Sequence, residues 1–381
     1  MYRGPVLAGV LGCAAILATT CDVSAQAPAS PPPSAAFVGP ASGPPVPEIP
    51  FDAVNFLKPP ADMHLGEIAG VAVNSQGHVF VFQRGNTAGP AYGAAAAQLL
   101  EFDADGKFVR EIGKGLYAWS FAHAVRIDPQ GNIWAADKGS DMVIKFDPAG
   151  RVQMVFGRKV EATAPEAHPL DHPSPPLPAV DGYFRQVTDM AWDSRGDTYI
   201  SDGYINSRVA KIAPDGRWLT SWGSYGSGPG QFNQLHSIAV DGQDRVYVAD
   251  RSNRRIQVFD TDGKLLRIIT IRVPFPDDAP VPIGNRPTLS SPGYLLPGAP
   301  WALCITPKGA GPQVLYAADV WPGRIYKLSL DGQVLGWLGG AGKQLKQFGW
   351  IHEMACPSEN QLYVAEVLNW RVQKLTLHPV H

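Results

Sequence analysis

His236–Arg251 reads HSIAVDGQDRVYVADR. Val, Ile and Tyr alternate with small or polar residues on both sides of Asp-Gly-Gln-Asp, a turn sequence, so the stretch predicts two short antiparallel strands. A histidine opens the first strand and Ala-Asp-Arg closes the second. A plain hairpin needs neither, so the decisive question is whether the pattern recurs.

It occurs six times. The copies begin at Ala69 (AGVAVNSQGHVFVFQRGN), His123 (HAVRIDPQGNIWAADKGS), Thr188 (TDMAWDSRGDTYISDGYIN), His236, Ala302 (ALCITPKGAGPQVLYAADVW) and His352 (HEMACPSENQLYVAEVLN). Third strands follow in most copies, as in VIKFD, RVAKIA and RIQVFD, then fourth strands such as WLTSWG and VLGWLGG. Four short strands repeating at intervals of about 50 residues are the signature of a β-propeller. No long stretch carries a helical period, which removes helical solenoids. The sixth copy ends at RVQKLTLHPVH without a fourth strand, while residues 51–57 form an orphan strand before the first copy. Pairing the two closes the ring and removes an exposed edge. The expected fold is therefore all-β, a six-bladed propeller over residues 48–381. Pro-rich insertions at 158–183 and 274–300 are expected as loops or lids.

Residues 1–25 carry an early positive charge, an apolar run and the small-residue site Val23-Ser24-Ala25, the pattern of an export signal. The apolar run is short for a membrane span. A lipid anchor through Cys21 lacks a Leu at the right offset in ATTC. Residues 26–47, rich in Pro, Ala, Ser and Gly, read as a flexible linker. The mature chain is expected in the periplasm or outside the cell, with no transmembrane segment. A formal charge of −2 gives no basic footprint for nucleic acid. Of four cysteines, only Cys304 and Cys356 lie in the repeats. An oxidising compartment permits a bridge between them and does not demand one.

Aligning the copies on the Asp, Asn or Pro that ends the first strand makes Ala69, His123, Thr188, His236, Ala302 and His352 equivalent. Histidine occupies the second, fourth and sixth positions. Alternate blades of a six-blade ring lie about 120° apart, and first strands line the central channel. Three imidazoles then converge on the axis, a ligand set that suits Zn²⁺ and leaves one tetrahedral position open. The plainer alternative is that the channel histidines hydrogen-bond to ordered water. His64, His78, His168, His172, His378 and His381 fall off it and are expected on loops or the surface. Fifteen residues after the register position stand Arg84, Lys138, Arg251 and Val367, and one extra residue in the third copy brings Tyr204 to this place. Arginines there can bind a carboxylate, and a tyrosine near cations can serve as a base.

The segments GEIAGVAVNSQGHVFVFQRGN, FAHAVRIDPQGNIWAADKG, SDGYINSRVAKIAPDGRWLTSWG, GPGQFNQLHSIAVDGQDRVYVADRSNRRIQVF and IHEMA together resemble the peptidyl-α-hydroxyglycine α-amidating lyase family, a six-bladed propeller of the NHL-repeat type. The resemblance spans nearly all of residues 51–377. It implies His123, His236 and His352 as ligands of a catalytic zinc, with Arg84, Tyr204 and Arg251 as the catalytic set. It further implies a structural calcium held by the carbonyls of Val71 and Val125 and by Glu353, which stands where the family has Asp. Ile205 and Tyr247 replace the family's disulfide cysteines. The implied reaction breaks the C–N bond of a peptidyl-α-hydroxyglycine, or a related hydroxy-amide, to an amide and glyoxylate. No monooxygenase domain accompanies the repeats. Two competing readings are a non-catalytic exported propeller that binds a peptide, glycan or protein, and a calcium-dependent lactonase, which calls for carboxylate and amide ligands rather than imidazoles.

Overall fold

The computed structural model describes residues 45–85, 97–159, 178–288, 290–309 and 311–378. The expected signal peptide, most of the linker, the centre of the 158–183 insertion, His168, His172 and His381 lie outside them. Among the described residues no helix is long and apolar enough to cross a membrane.

Six four-stranded antiparallel sheets form the six blades of an NHL-type propeller. Within blades one to five the strands pair in chain order, and the first strands of neighbouring blades pack against one another around the channel. The sixth blade is completed from the other end of the chain. Phe51–Asn55 pairs antiparallel with Arg371–Leu377, placing Phe51 opposite Leu377 and Asn55 opposite Gln373. The closure expected from the orphan strand is thus the one observed. Ahead of it, Trp337 Nε1 donates to the Val46 carbonyl at 3.1 Å, and Trp337 N donates to Pro47 at 3.0 Å. Those two residues, linker by composition, lie against the outer strand of blade five.

Alternation within each strand builds the core. In the second strand of blade four, Val246 and Val248 pack toward blade three, while Tyr247 and Ala249 pack toward blade five. Both faces are buried, which is why VYVA reads as a continuous apolar run. Six apolar clusters result, one between each pair of neighbouring blades. Six interfaces for six blades mean that the ring is closed. Cys304 and Cys356 form a disulfide that joins the first strands of blades five and six.

The polar ends of the hairpin have separate roles. Asp241 Oδ1 accepts the amides of Gln243 and Arg245, closing the turn. Asp250 is fully buried and accepts from Asn233 N at 2.8 Å, which ties the incoming loop to the second strand. Asp137, Asp202, Asp319 and Glu366 take loop amides in the same way in other blades. The acid in ADR is structural. The residue after it faces the channel.

Candidate metal centre and its surroundings

The ladder between first and second strands is interrupted at the register position in blades one, two, four and six. In the last three, the residue at the interruption is His123, His236 or His352. A bulge frees one residue from pairing and re-aims its side chain. Here it turns each imidazole into the channel.

The three histidines are buried, and one nitrogen from each lies within 4.8 Å of the others. Their ring centroids are 4.6–4.7 Å apart. Each Nδ1 donates to a carbonyl of the next blade. His123 bonds Thr188 O at 2.7 Å, His236 bonds Trp301 O at 2.7 Å and His352 bonds Ala69 O at 2.8 Å. A carbonyl only accepts, so each Nδ1 carries the proton and each Nε2 presents a lone pair. The odd-numbered blades, which lack the histidine, supply the carbonyls that orient it. Burial first, and positive neighbours second, hold all three well below the ordinary histidine pKa. The imidazoles are therefore neutral, as ligation requires. Nε2 of His123 and of His236 has no partner, an arrangement a buried polar atom tolerates poorly without a ligand. The residues present fit a metal ion.

The second-strand positions assemble beside them. The amides of Arg84, Lys138, Tyr204 and Val367 all bond carbonyls two residues before the register position of their own blade. Tyr204 lies edge-on to His123 and His236, with centroids 5.7 and 6.1 Å away. Lys138 Nζ stands 3.8 Å from the centre of its ring, and Arg251 Cζ 5.3 Å. Burial pushes the phenol up, but Lys138, then Arg251 and Arg84, outweigh it and bring Tyr204 below the ordinary tyrosine range. Gly203 permits this approach, because a Cβ there would lie 1.8 Å from the Leu235 carbonyl.

The two arginines differ. Arg84 is engaged within the protein: Nε donates to Ala122 O at 2.9 Å, Nη1 to Glu67 at 3.1 Å, and Nη2 to His352 Nε2 at 3.1 Å. Its guanidinium also covers Phe121 at 4.0 Å. Arg251 is 2% exposed and lies 3.9 Å over Trp301. Its Nη2 bonds Gln234 at 2.9 Å, while Nε and Nη1 have no hydrogen-bond partner. Two unused donors on one buried guanidinium suit a carboxylate.

Sequence register left Lys138 without a role, although it shares the position of Arg84 and Arg251. Glu67 and Gln234, each two residues before the register position of its blade, and Tyr294 and Trp301, on the segment leading into blade five, were not singled out by the sequence reading. Tyr294, in the 274–300 insertion, is 5.1 Å from Arg251 Cζ. That end of the insertion therefore walls the site. Off the register, His78 pairs with Glu101 at 2.7 Å and His378 with Asp52 at 2.9 Å, away from the centre.

The residues expected to hold calcium meet differently. Glu353 Oε2 accepts the backbone amides of Val71 at 2.7 Å and Val125 at 3.2 Å, and Oε1 lies 3.0 Å from Arg126 Nε. An amide pair occupies one oxygen, and the other, though it accepts no hydrogen bond, already faces the Arg126 cation, so this carboxylate is poorly placed for a calcium ion.

The NHL repeat family matches residues 232–259, the first three strands of blade four. The chain is 32% identical over 222 residues to the peptidylglycine alpha-amidating monooxygenase of Rattus norvegicus, covering 52% of this chain and 21% of that protein. It is 26% identical over 227 residues to peptidyl-alpha-hydroxyglycine alpha-amidating lyase 1 of Drosophila melanogaster, covering 53% of this chain and 39% of that protein. NHL repeat-containing protein 3 of Homo sapiens is 31% identical over 205 residues, half of each chain. The match thus spans about a fifth of the rat protein's length. These relatives bear out the resemblance read from the motifs. Among solved structures, a streptogramin B lyase superposes with a TM-score of 0.52 at 14% identity, covering 86% of this chain and 98% of that one. That likeness concerns the fold alone.

Proposed function

We propose that this chain is an exported zinc-dependent lyase that cleaves the C–N bond of a peptidyl-α-hydroxyglycine or a related hydroxy-amide. The observation that carries the reading is the set of three neutral imidazoles, oriented by neighbouring blades, beside an arginine with two unused buried donors and a cation-flanked tyrosine. A non-catalytic scaffold gains nothing from burying the two unpaired lone pairs of His123 and His236, which desolvation penalises. Proteins named as amidating lyases among the relatives support the same chemistry.

His123, His236 and His352 hold the metal. A zinc ion held there would lower the pKa of a substrate hydroxyl and stabilise the resulting charge. The chain's own residues do the rest. Arg251 receives the substrate carboxylate on an unused donor. Tyr204, as phenolate, accepts the α-hydroxyl proton. The O–H pair becomes the new C=O bond, the C–N bond breaks with its electrons going to nitrogen, and the proton held by Tyr204 passes to that nitrogen. An amide and glyoxylate leave, and atoms and charge balance. Arg84, anchored by Glu67 and Ala122, faces the His352 side of the centre and stabilises developing negative charge. Residues 1–25 act as the export signal and residues 26–44 as a tether. A disulfide in the propeller accords with an oxidising compartment.

The test is glyoxylate release from a short α-hydroxyglycine peptide, with metal content measured alongside. The Tyr204→Phe variant is expected to retain zinc and lose about 10²-fold or more in rate. A His123→Ala, His236→Ala double variant is expected to lose stoichiometric zinc. Full zinc occupancy in that variant, or no glyoxylate from the zinc-loaded wild type, overturns the assignment.

A further inference from the structure

We propose that the guanidinium of Arg126 takes the place of a structural calcium ion in the channel below the histidines, so the propeller is cation-bridged from within. The inference stands on packing and does not depend on the lyase reading.

Two blades bring oxygen atoms together at this level. Glu353 comes from blade six and Asp189 from blade three, and both are buried. The carbonyl of Met354, next to Glu353, faces the same space. Arg126, from the first strand of blade two, reaches all three. Its Nε lies 2.9 Å from Asp189 Oδ1 and 3.0 Å from Glu353 Oε1. Its Nη2 donates to Asp189 Oδ2 at 2.6 Å, and its Nη1 donates to Met354 O at 3.1 Å. Carboxylate and backbone carbonyl oxygens are the ligands calcium selects. A planar guanidinium engages Asp189 and the Met354 carbonyl through a fixed fork of N–H donors and sets its charge 3.0 Å from Glu353 Oε1, which accepts no hydrogen bond. It also places a permanent positive charge where a divalent cation would have to sit.

The other carboxylate oxygens of the cluster are closed by the protein. Asp189 Oδ2 also accepts from Ser237 Oγ at 2.7 Å and Ile238 N at 3.2 Å, which brings in blade four. Ser237 Oγ in turn accepts Leu303 N of blade five at 3.1 Å. Glu353 Oε2 takes the amides of Val71 and Val125, from blades one and two. Gly70 makes room for this seat, since a Cβ there would fall 2.9 Å from Glu353 Oε2 and 2.8 Å from Val125 N. One network therefore touches all six blades, with Arg126 as its cation.

A ligand that binds only the folded state raises the melting temperature as its concentration rises. The full-length protein is passed through calcium-depleted buffer with zinc restored, then melted with and without CaCl₂ and analysed for calcium. The expected result is no stoichiometric calcium and no change in Tm. Stoichiometric calcium, or a Tm that climbs with CaCl₂, overturns the proposal. The Arg126→Ser variant leaves the acidic oxygens without their cation. It is expected to melt below wild type in calcium-free buffer and to regain part of the loss with CaCl₂ but not with MgCl₂. Arg126→Lys, which keeps a point charge and loses the fork, is expected between the two. An Arg126→Ser protein that melts with the wild type in calcium-free buffer also overturns the proposal. If Arg126→Ser fails to fold, the wild-type measurement decides alone.

Discussion

Lys138 shows how one residue can be tested apart from the metal ligands. It is the largest of the positive influences that lower the Tyr204 phenol, ahead of Arg251 and Arg84. Its own ammonium is lowered by burial first, so it sits in a poorly solvated place where charges act strongly. If Tyr204 works as a phenolate base, rate rises with pH through the tyrosine pKa. Lys138→Met removes a cation, raises that pKa and moves the acid limb of kcat to higher pH. The rate at neutral pH falls accordingly. A pH–rate profile of Lys138→Met that overlays the wild type would show that Lys138 does not tune the tyrosine. Arg84 and Arg251, alike in sequence position, are told apart only by their partners: one is saturated by the protein, the other keeps two donors in reserve.

At the level of the element, the unit in the histidine-bearing blades is a hairpin whose open end carries both a bulge on the first strand and, beside it on the second, an acidic staple. The bulge aims the first-strand residue into the channel, and the staple fixes the loop that leads to it. Asp250 holds Asn233 N, Asn253 Nδ2 and Arg255 Nε, the last at 2.6 Å. Asp250→Ala leaves the Arg255 guanidinium without its carboxylate in a mostly buried site. The expected loss is about 3–5 kcal/mol, the usual scale for breaking one side of a buried ion pair. Equilibrium denaturation of the variant measures it, and a loss below 1 kcal/mol on the same scale would mean the staple is dispensable. The sequence motif ADR therefore combines two functions in adjacent residues, since Asp250 turns into the blade and Arg251 toward the axis.

The whole molecule is a ring, and a ring depends on its closing strand. Phe51 belongs to the cluster between blades five and six, and Phe56 to the one between blades six and one. Both clusters flank the seam. Deleting residues 1–44 is expected to leave melting unchanged. Deleting residues 1–58 removes the outer strand of blade six, exposes the edge of Arg371–Leu377 and takes Ile49, Phe51 and Phe56 out of the core. That protein is expected to melt lower and to aggregate, as unpaired edges do. Light scattering and calorimetry on the two truncations check this, and equal melting of both would rule out closure by Phe51–Asn55 as a source of stability.

Repeats made much of this protein legible. Strand period, turn residues and copy number depend on local chemistry and on burial of both sheet faces, so six blades and the orphan strand could be read directly. The histidine register was legible for the same reason: equivalent positions in equivalent units occupy equivalent places around an axis. Contacts between units were not. Which carbonyl orients each imidazole, why Arg251 and not Arg84 retains free donors, and how Tyr294 and Trp301 reach the site are set by loops and by neighbouring blades, far apart in the chain. The replacement of calcium by Arg126 belongs with these. Asp189 and Glu353 share the place just after the register residue, but Arg126 stands elsewhere in its repeat, and their charges meet only because closing the ring brings six inner strands to one axis, where a buried carboxylate must find a cation.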